Sequence, residues 1–476
     1  MAKGGISKMA IKAMGLFGGV QVAGILCSIV RTKLVALWIG PVGMGLFGLF
    51  NQALEMLNTA TNLGVRSSSV RDVSQAIDSG DRSHVARVIA VVRRWSVWLG
   101  LGGTLITAAL APALSRLSFG DESHLWGFVA LAAAVLLMAL TNGEYAVLQG
   151  TARLRRLASV TLWGTLGGLL ISVPLFYWLR ERSILPSIIA YAACCAAAAW
   201  VLRDRTWPHA QVPAGEAARM GLGFVRLGAY MTAGSLVSIA ASYAFSSWLN
   251  HAGGTGEVGL YQAGYTLVNK YTGLVLTALG MEYYPRLARV AGSRLRLRAM
   301  VGQEVVLCMV VMAAVVALMM VLREPVVKLL YSGEFVAVLG MVSWCLVGTV
   351  FRALSWCMSF VILAKGDGRT FLATETLSAA VGLALNVVCY MHWGLDGLGM
   401  SFAAWYVVYT AIVAVVYFWH YRLRMARTCA WAAAWGLAVA VAALWAVSGG
   451  HTLAAAAVAA AAVAVCLAVV RRVWRR

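Results

Sequence analysis

The sequence predicts an all-α, polytopic membrane protein of about fourteen transmembrane helices, and three observations carry that expectation. Hydrophobic residues make up 61% of the 476 residues and charged residues only 12%, more apolar surface than a soluble core of this length can bury. The apolar residues fall in repeated runs of about 20, the length that crosses the hydrocarbon of a bilayer. Lysine and arginine, 39 in all, collect in every second connection between those runs, at roughly six to one over the alternate connections. That bias puts both termini on the cytoplasmic side. It also explains the formal charge of +21 by basic loops set against anionic head groups, with no need for nucleic acid as a partner.

In chain order the runs read as helices over 11–39, 44–64, 91–112, 126–149, 157–178, 184–202, 226–249, 258–283, 302–322, 336–364, 371–391, 397–419, 430–447 and 452–470. The short basic N-terminus leads into the first of them without a small-residue cleavage site, so that helix is read as retained. Gly40-Pro41-Val42-Gly43 reads as the turn between the first two helices. Gly45-Leu46-Phe47 is echoed by Gly259-Leu260-Tyr261, and each follows a glycine-rich turn and opens an apolar helix. Helices one to six and seven to twelve run in the same sense, so the echo predicts a parallel repeat about an axis along the membrane normal. The expected organisation is a six-helix bundle over 1–202, a cytoplasmic linker over 203–225, a second six-helix bundle over 226–425 and an appended helix pair over 426–476. The linker is marked by Pro208 and Pro213 among polar residues.

Polar residues inside the apolar runs are the candidate site. On the second helix Asn51, Glu55, Asn58 and Asn62 fall within an arc of roughly 60°, and Arg66 extends the stripe. Such a stripe is costly in a bilayer unless it faces protein, water or a ligand. Arg31 and Lys33 lie inside the first helix, about 200° apart, so they cannot both face one cavity. Either can instead snorkel to the interface. Lys270 shares a face with Thr266, Gly273 and Thr277 near mid-helix, where snorkelling is hard, and a cavity-facing role is favoured. Arg352, above Ser355 and Ser359, reads as a ligand contact or as a structural pair with a helical carboxylate. Glu55, Glu144 and Glu282 are the acidic candidates; a carboxylate at depth either neutralises a cavity lysine or carries a coupling proton or sodium ion. Deep charges lean basic, so the cavity should attract anions such as phosphate or pyrophosphate.

Several chemistries are not expected. The chain has no GxxxxGK[ST], GxSxG or HExxH stretch and no carboxylates at metal-ligand spacing, so no ATP site, cofactor, metal or catalytic residue is predicted. Nine cysteines sit mostly in apolar runs, as at Cys27, Cys308, Cys357 and Cys466, with Cys194 and Cys195 adjacent, and read as core filler. Lys365-Gly-Asp-Gly-Arg369 is a basic turn, not a phosphate loop, because no strand precedes it.

The stretches GPVGMGLFGLFNQ, GLYQAGYTLVNKYTGLVLTALGMEYYPRLARVAG (259–292) and LAKGDGRTFLATE (363–375) together resemble Wzx-type O-antigen and enterobacterial common antigen flippases. These belong to the multidrug, oligosaccharidyl-lipid and polysaccharide exporter superfamily. The resemblance implies two six-helix bundles around a central cavity, and alternating access that carries undecaprenyl-pyrophosphate-linked oligosaccharide from the cytoplasmic to the periplasmic leaflet of a bacterial inner membrane. It implies that the basic residues of helix one and Lys270 hold the pyrophosphate. It also implies a transporter with no cofactor, driven by protons, sodium or the membrane potential, with the lipid-linked glycan, membrane lipids, a polysaccharide polymerase and a chain-length regulator as partners. Helices thirteen and fourteen depart from the twelve-helix members and resemble the lipid II flippases, where an extra pair forms a lipid-tail groove. The rival expectations are a lipid II-type flippase, a cation-coupled multidrug antiporter of the same superfamily, and a membrane scaffold that transports nothing.

Overall fold

The structure, a computed structural model, describes residues 8–208 and 210–474; the extreme N-terminus, expected in the cytoplasm, lies outside the described residues. Among these residues there is helix throughout and no β-strand. Packing divides the chain into two compact units between Val258 and Gly259. The first contains α1 (Lys8–Trp38), α2 (Gly40–Asn62), α3 (Val65–Asp78), α4 (Arg82–Phe119), α5 (Leu125–Gly150), α6 (Leu154–Leu179), α7 (Ile184–Val201) and α8 (Ala214–Gly253). The second begins within α9 (Thr255–Val290) and continues with α10 (Arg294–Leu330), α11 (Leu339–Ala364), α12 (Gly368–Val415), α13 (Arg427–Ser448) and α14 (Thr452–Trp474). Eight helical stretches among the described residues are long and apolar enough to cross a membrane. The protein is a multi-pass membrane protein.

Four local features differ from the expected element boundaries. The turn after α1 is shorter than Gly40–Gly43: Gly40 takes φ 76° and α2 starts there, with Pro41 in its first turn, where a missing N–H costs nothing. Residues 65–78, expected as loop, form α3. Its buried positions Val65, Ser68, Ser69, Val73 and Ala76 keep helical spacing, but three of the five are too polar or small to register as an apolar run. α8 starts at Ala214, inside the expected linker, after Pro213 and with Glu216 in its first turn, where a carboxylate favours the helix dipole. The runs 371–391 and 397–419 are joined as α12 with one break at Gly394, whose φ 58° and ψ −139° are open only to glycine.

The first unit has two main cores. Phe50, Phe128, Leu131 and Ile184 join α2, α5 and α7, while Val73, Val92, Val147 and Phe224 join α3, α4, α5 and α8. The turn between α2 and α3 comes close to α8 where Gly64 (φ 63°) meets Gly228; a Cβ at Gly64 would stand 2.5 Å from the Gly228 carbonyl oxygen. The segment after α7 is stapled down by charge. Asp204, 2% exposed, faces Arg156 at 3.1 Å and Arg153 at 3.4 Å, and its carboxylate also accepts from the backbone N–H and hydroxyl of Thr206. Burial alone would raise this carboxyl, but the Thr206 bonds and the two guanidinium groups outweigh it and hold it below the usual range. In the second unit α10 packs on α11, α13 and α14. Ala314 and Ala317 there meet Ala459 and Ala462, and such small side chains let helix backbones come close.

Candidate functional site

Arg31 is half-buried on α1 and is held by ring faces. Its guanidinium carbon lies 5.2 Å from the centre of the Phe47 ring on α2 and 4.8 Å from that of Tyr191 on α7, both within cation–π range. No hydrogen-bond acceptor or carboxylate reaches it among the described residues. The five N–H donors of a guanidinium lie along its edge, and no other described residue takes a hydrogen bond from them. An oxyanion that meets this edge would gain a fork of charge-assisted hydrogen bonds. Lys33, two residues on, is half-buried and makes no ion pair or hydrogen bond among the described residues.

The polar stripe of α2 is less uniform than its spacing predicts. Asn51 donates to the Phe47 carbonyl at 2.7 Å, and Asn62 donates to the Asn58 side chain at 2.5 Å. Asn62 is buried at 8% exposure, near the close approach of α8. Of the four stripe residues on α2 only Glu55 is exposed, and it makes no ion pair or hydrogen bond among the described residues. Arg66 lies 4.9 Å from the Tyr145 ring centre.

In the second unit Lys270 is half-buried on α9, one turn before Gly273. Gly273, Thr277 and Gly280 of α9 form one wall of a cavity of about 480 Å³, opposite Arg352, Trp356 and Phe360 of α11. Arg352 donates to the side-chain oxygen of Asn269 and lies 5.7 Å from the Tyr406 ring centre. Asn269 in turn donates to the Tyr265 carbonyl at 3.0 Å. Arg352 is therefore braced by an amide, where the sequence allowed a helical carboxylate, and stands in a cavity wall.

The other carboxylates are engaged. Glu144 accepts from Arg93 through both oxygens, at 2.7 and 2.9 Å, and Arg93 also donates to the Asp204 carbonyl at 3.3 Å; this ties α4 and α5 to the segment after α7. Glu282 pairs one turn on with Arg286 at 2.9 Å, and its side chain is 77% exposed. The sequence reading missed the aromatic partners Phe47, Tyr191 and Tyr406 and the brace Asn269. Only Phe47 and Asn269 carried a signal, through the echoed Gly-Leu-Phe and the position beside Lys270.

A polysaccharide biosynthesis protein family matches residues 34–339. The chain belongs to that family. The match spans the α2 stripe and Lys270, while Arg31 and Arg352 fall outside it. This polysaccharide biosynthesis protein is similar to the "Lipid III flippase" of Escherichia coli (strain K12), 23% identical over 420 residues that cover 81% of this chain and 92% of the relative. The Shigella flexneri protein of the same description matches equally. Its fold is shared with "Lipid II flippase MurJ, inward closed conformation", at TM-score 0.73 and 9% identity over 97% of this chain and all of that one. It is also shared with an inward-facing multidrug resistance MATE family transporter of the MOP superfamily, at TM-score 0.69 and 16% identity over 86% and 95% of the two chains.

The motif around Asp367 has a structural role in this family member. Asp367 caps α12, accepting from the Thr370 backbone N–H at 3.1 Å and its hydroxyl at 2.7 Å, and from the Tyr421 hydroxyl at 3.0 Å. The Thr370 side chain and N–H, then Tyr421 and His420, hold its carboxyl down to about 2. The Lys-Gly-Asp-Gly-Arg turn is thus a helix start.

Proposed function

We propose that this protein is a flippase that moves an undecaprenyl-pyrophosphate-linked oligosaccharide from the cytoplasmic to the periplasmic leaflet of a bacterial inner membrane by alternating access. The observation that carries this reading is Arg31: a guanidinium set over the rings of Phe47 and Tyr191, with none of its donors taken by another described residue. Membership of a polysaccharide biosynthesis family and similarity to proteins described as lipid III flippases support the cargo class. In this reading Arg31 is the phosphate contact of the first unit and Lys270 that of the second, and the exposed Glu55 meets sugar hydroxyls. The prenyl tail stays in lipid. The gain over unaided crossing is large, because a charged sugar head group is otherwise stripped of water in hydrocarbon. The transport cycle draws on protons, sodium or the membrane potential, and a polysaccharide polymerase and chain-length regulator act downstream.

A strain lacking the protein should accumulate the lipid-linked oligosaccharide on the cytoplasmic face, and the native chain should clear it. The Arg31→Ala, Lys270→Ala double variant should insert normally and fail to clear it. Loss of drug resistance with glycan export intact would make the protein an antiporter instead, and no change in either would make it a scaffold. Reporter fusions at Gly450 and Arg476 should report periplasm and cytoplasm; the opposite pair overturns the proposed orientation.

A further inference from the structure

At one end of the second unit four helix ends converge on a groove of about 680 Å³. They are the last turns of α9, the first turns of α10, the start of α13 and the end of α14. Leu295, Met300, Leu307 and Val469 give it an apolar floor and lip, and Leu295 is 77% exposed. Arg286 and Arg298 stand at its mouth, with Glu304 on its wall. A groove that is apolar along its length and cationic at its mouth matches one kind of occupant: a chain-bearing lipid with an anionic head.

We propose that this groove holds an anionic diacyl phospholipid of the surrounding bilayer, its phosphate on Arg286 and Arg298 and its acyl chains along α10 and α14. All charged groups at the groove enter the balance. Glu282 already pairs with Arg286 at 2.9 Å, which leaves part of that guanidinium for the lipid. Arg298 is exposed and makes no ion pair among the described residues. Glu304 lies six residues along α10 from Arg298, a rise of about 9 Å, but it feels the charge of Arg286, so it opposes an anion there and leaves Arg298 as the freer cation. Arg294 and Arg296 precede it, and Arg471 and Arg472 end α14, so the mouth is cationic overall. Basic clusters of this kind at helix ends attract anionic lipid head groups. The lipid would act as a wedge at the root of α13 and α14, filling space that helix packing leaves open. This assignment stands apart from the cargo, since neither Arg31 nor Lys270 lines the groove.

The test uses the purified full chain, stripped of lipid and titrated with phosphatidylglycerol or phosphatidylcholine of identical acyl chains, read by native mass spectrometry and by thermal stability. Phosphatidylglycerol should bind about tenfold tighter than phosphatidylcholine, with the margin shrinking as salt is raised. Arg298→Gln, at an exposed position, should bring the two lipids within about twofold, while Glu304→Gln should tighten phosphatidylglycerol binding. Equal binding of the two lipids by the native chain, or an unchanged margin in Arg298→Gln, overturns the proposal. Displacement of the lipid by excess inorganic phosphate would leave a bare anion site and overturn it as well.

Discussion

Arg31 and Arg352 are both arginines set within long apolar helices, yet their surroundings commit them differently. Arg31 touches two aromatic faces and keeps its donors. Arg352 touches one aromatic face and gives a donor to Asn269, which is itself tied to the Tyr265 carbonyl. The difference teaches that a buried cation can be stabilised without using up its hydrogen bonds. Ring faces offset part of the desolvation cost, whereas an amide acceptor offsets it by occupying the edge that a ligand would need. The first arrangement is poised for an arriving oxyanion. The second fixes a cavity wall, in which Arg352 has fewer donors left to offer.

The comparison yields a ranking of effects on export. Arg31→Ala should reduce it by about 100-fold or more, the loss expected when two charge-assisted hydrogen bonds disappear. Arg31→Lys should recover only part, because an ammonium lacks the planar fork and stacks less well. Arg352→Ala should cost roughly tenfold, through a slackened cavity wall. Export assays on membranes with matched protein levels decide it, and an Arg352 loss equal to that of Arg31 breaks the distinction.

Gly273→Leu sharpens the second half of the comparison. A Cβ there meets nothing within 4 Å, so the added side chain enters the cavity without straining the fold, and leucine suits a helix better than glycine. If cargo uses the cavity, export should fall about tenfold with thermal stability unchanged or raised. Normal export would confine cargo binding to residues elsewhere.

Glu55→Gln tests the exposed carboxylate of α2. The carboxylate makes no ion pair among the described residues, so the glutamine variant keeps its shape and removes a charge that would repel a pyrophosphate. It should bind lipid pyrophosphate at least as tightly as the native chain and, holding it longer, turn over about tenfold more slowly. Weaker binding in a direct assay, or normal export, would reduce Glu55 to a solvated residue on a polar face.

The smallest effect belongs to the cap of α12. Asp367→Ala removes the α12 cap and should cost about 1 kcal/mol of stability. The Asp367 carboxyl is held down to about 2 against an ordinary 3.8. Its contribution is therefore complete above the ordinary value and fades as pH falls towards 2. Melting curves of the native chain and the variant should differ at neutral pH and converge in acid. A gap that widens in acid would contradict the cap.

The sequence by itself determined the membrane class, most of the helices and the presence of charge at depth, because each depends on local composition. An apolar run of the right length is helical in a bilayer whatever its neighbours, since its backbone has no other way to satisfy its hydrogen bonds. It also singled out Arg31, Lys270 and Arg352, because a cation in such a run is conspicuous. What those cations touch was decided only by tertiary structure. Tyr191 reaches Arg31 because α6 packs against both α1 and α7, and Asn269 reaches Arg352 because α9 and α11 are neighbours, contacts that no local pattern encodes. The α2 asparagines show the same limit from the other side. Their periodicity predicted one stripe, but Asn51 turned back to its own helix and Asn62 was bonded by Asn58 and covered near α8. Periodicity fixes the direction in which a side chain leaves its helix, while the partner it meets depends on which distant segment arrives there.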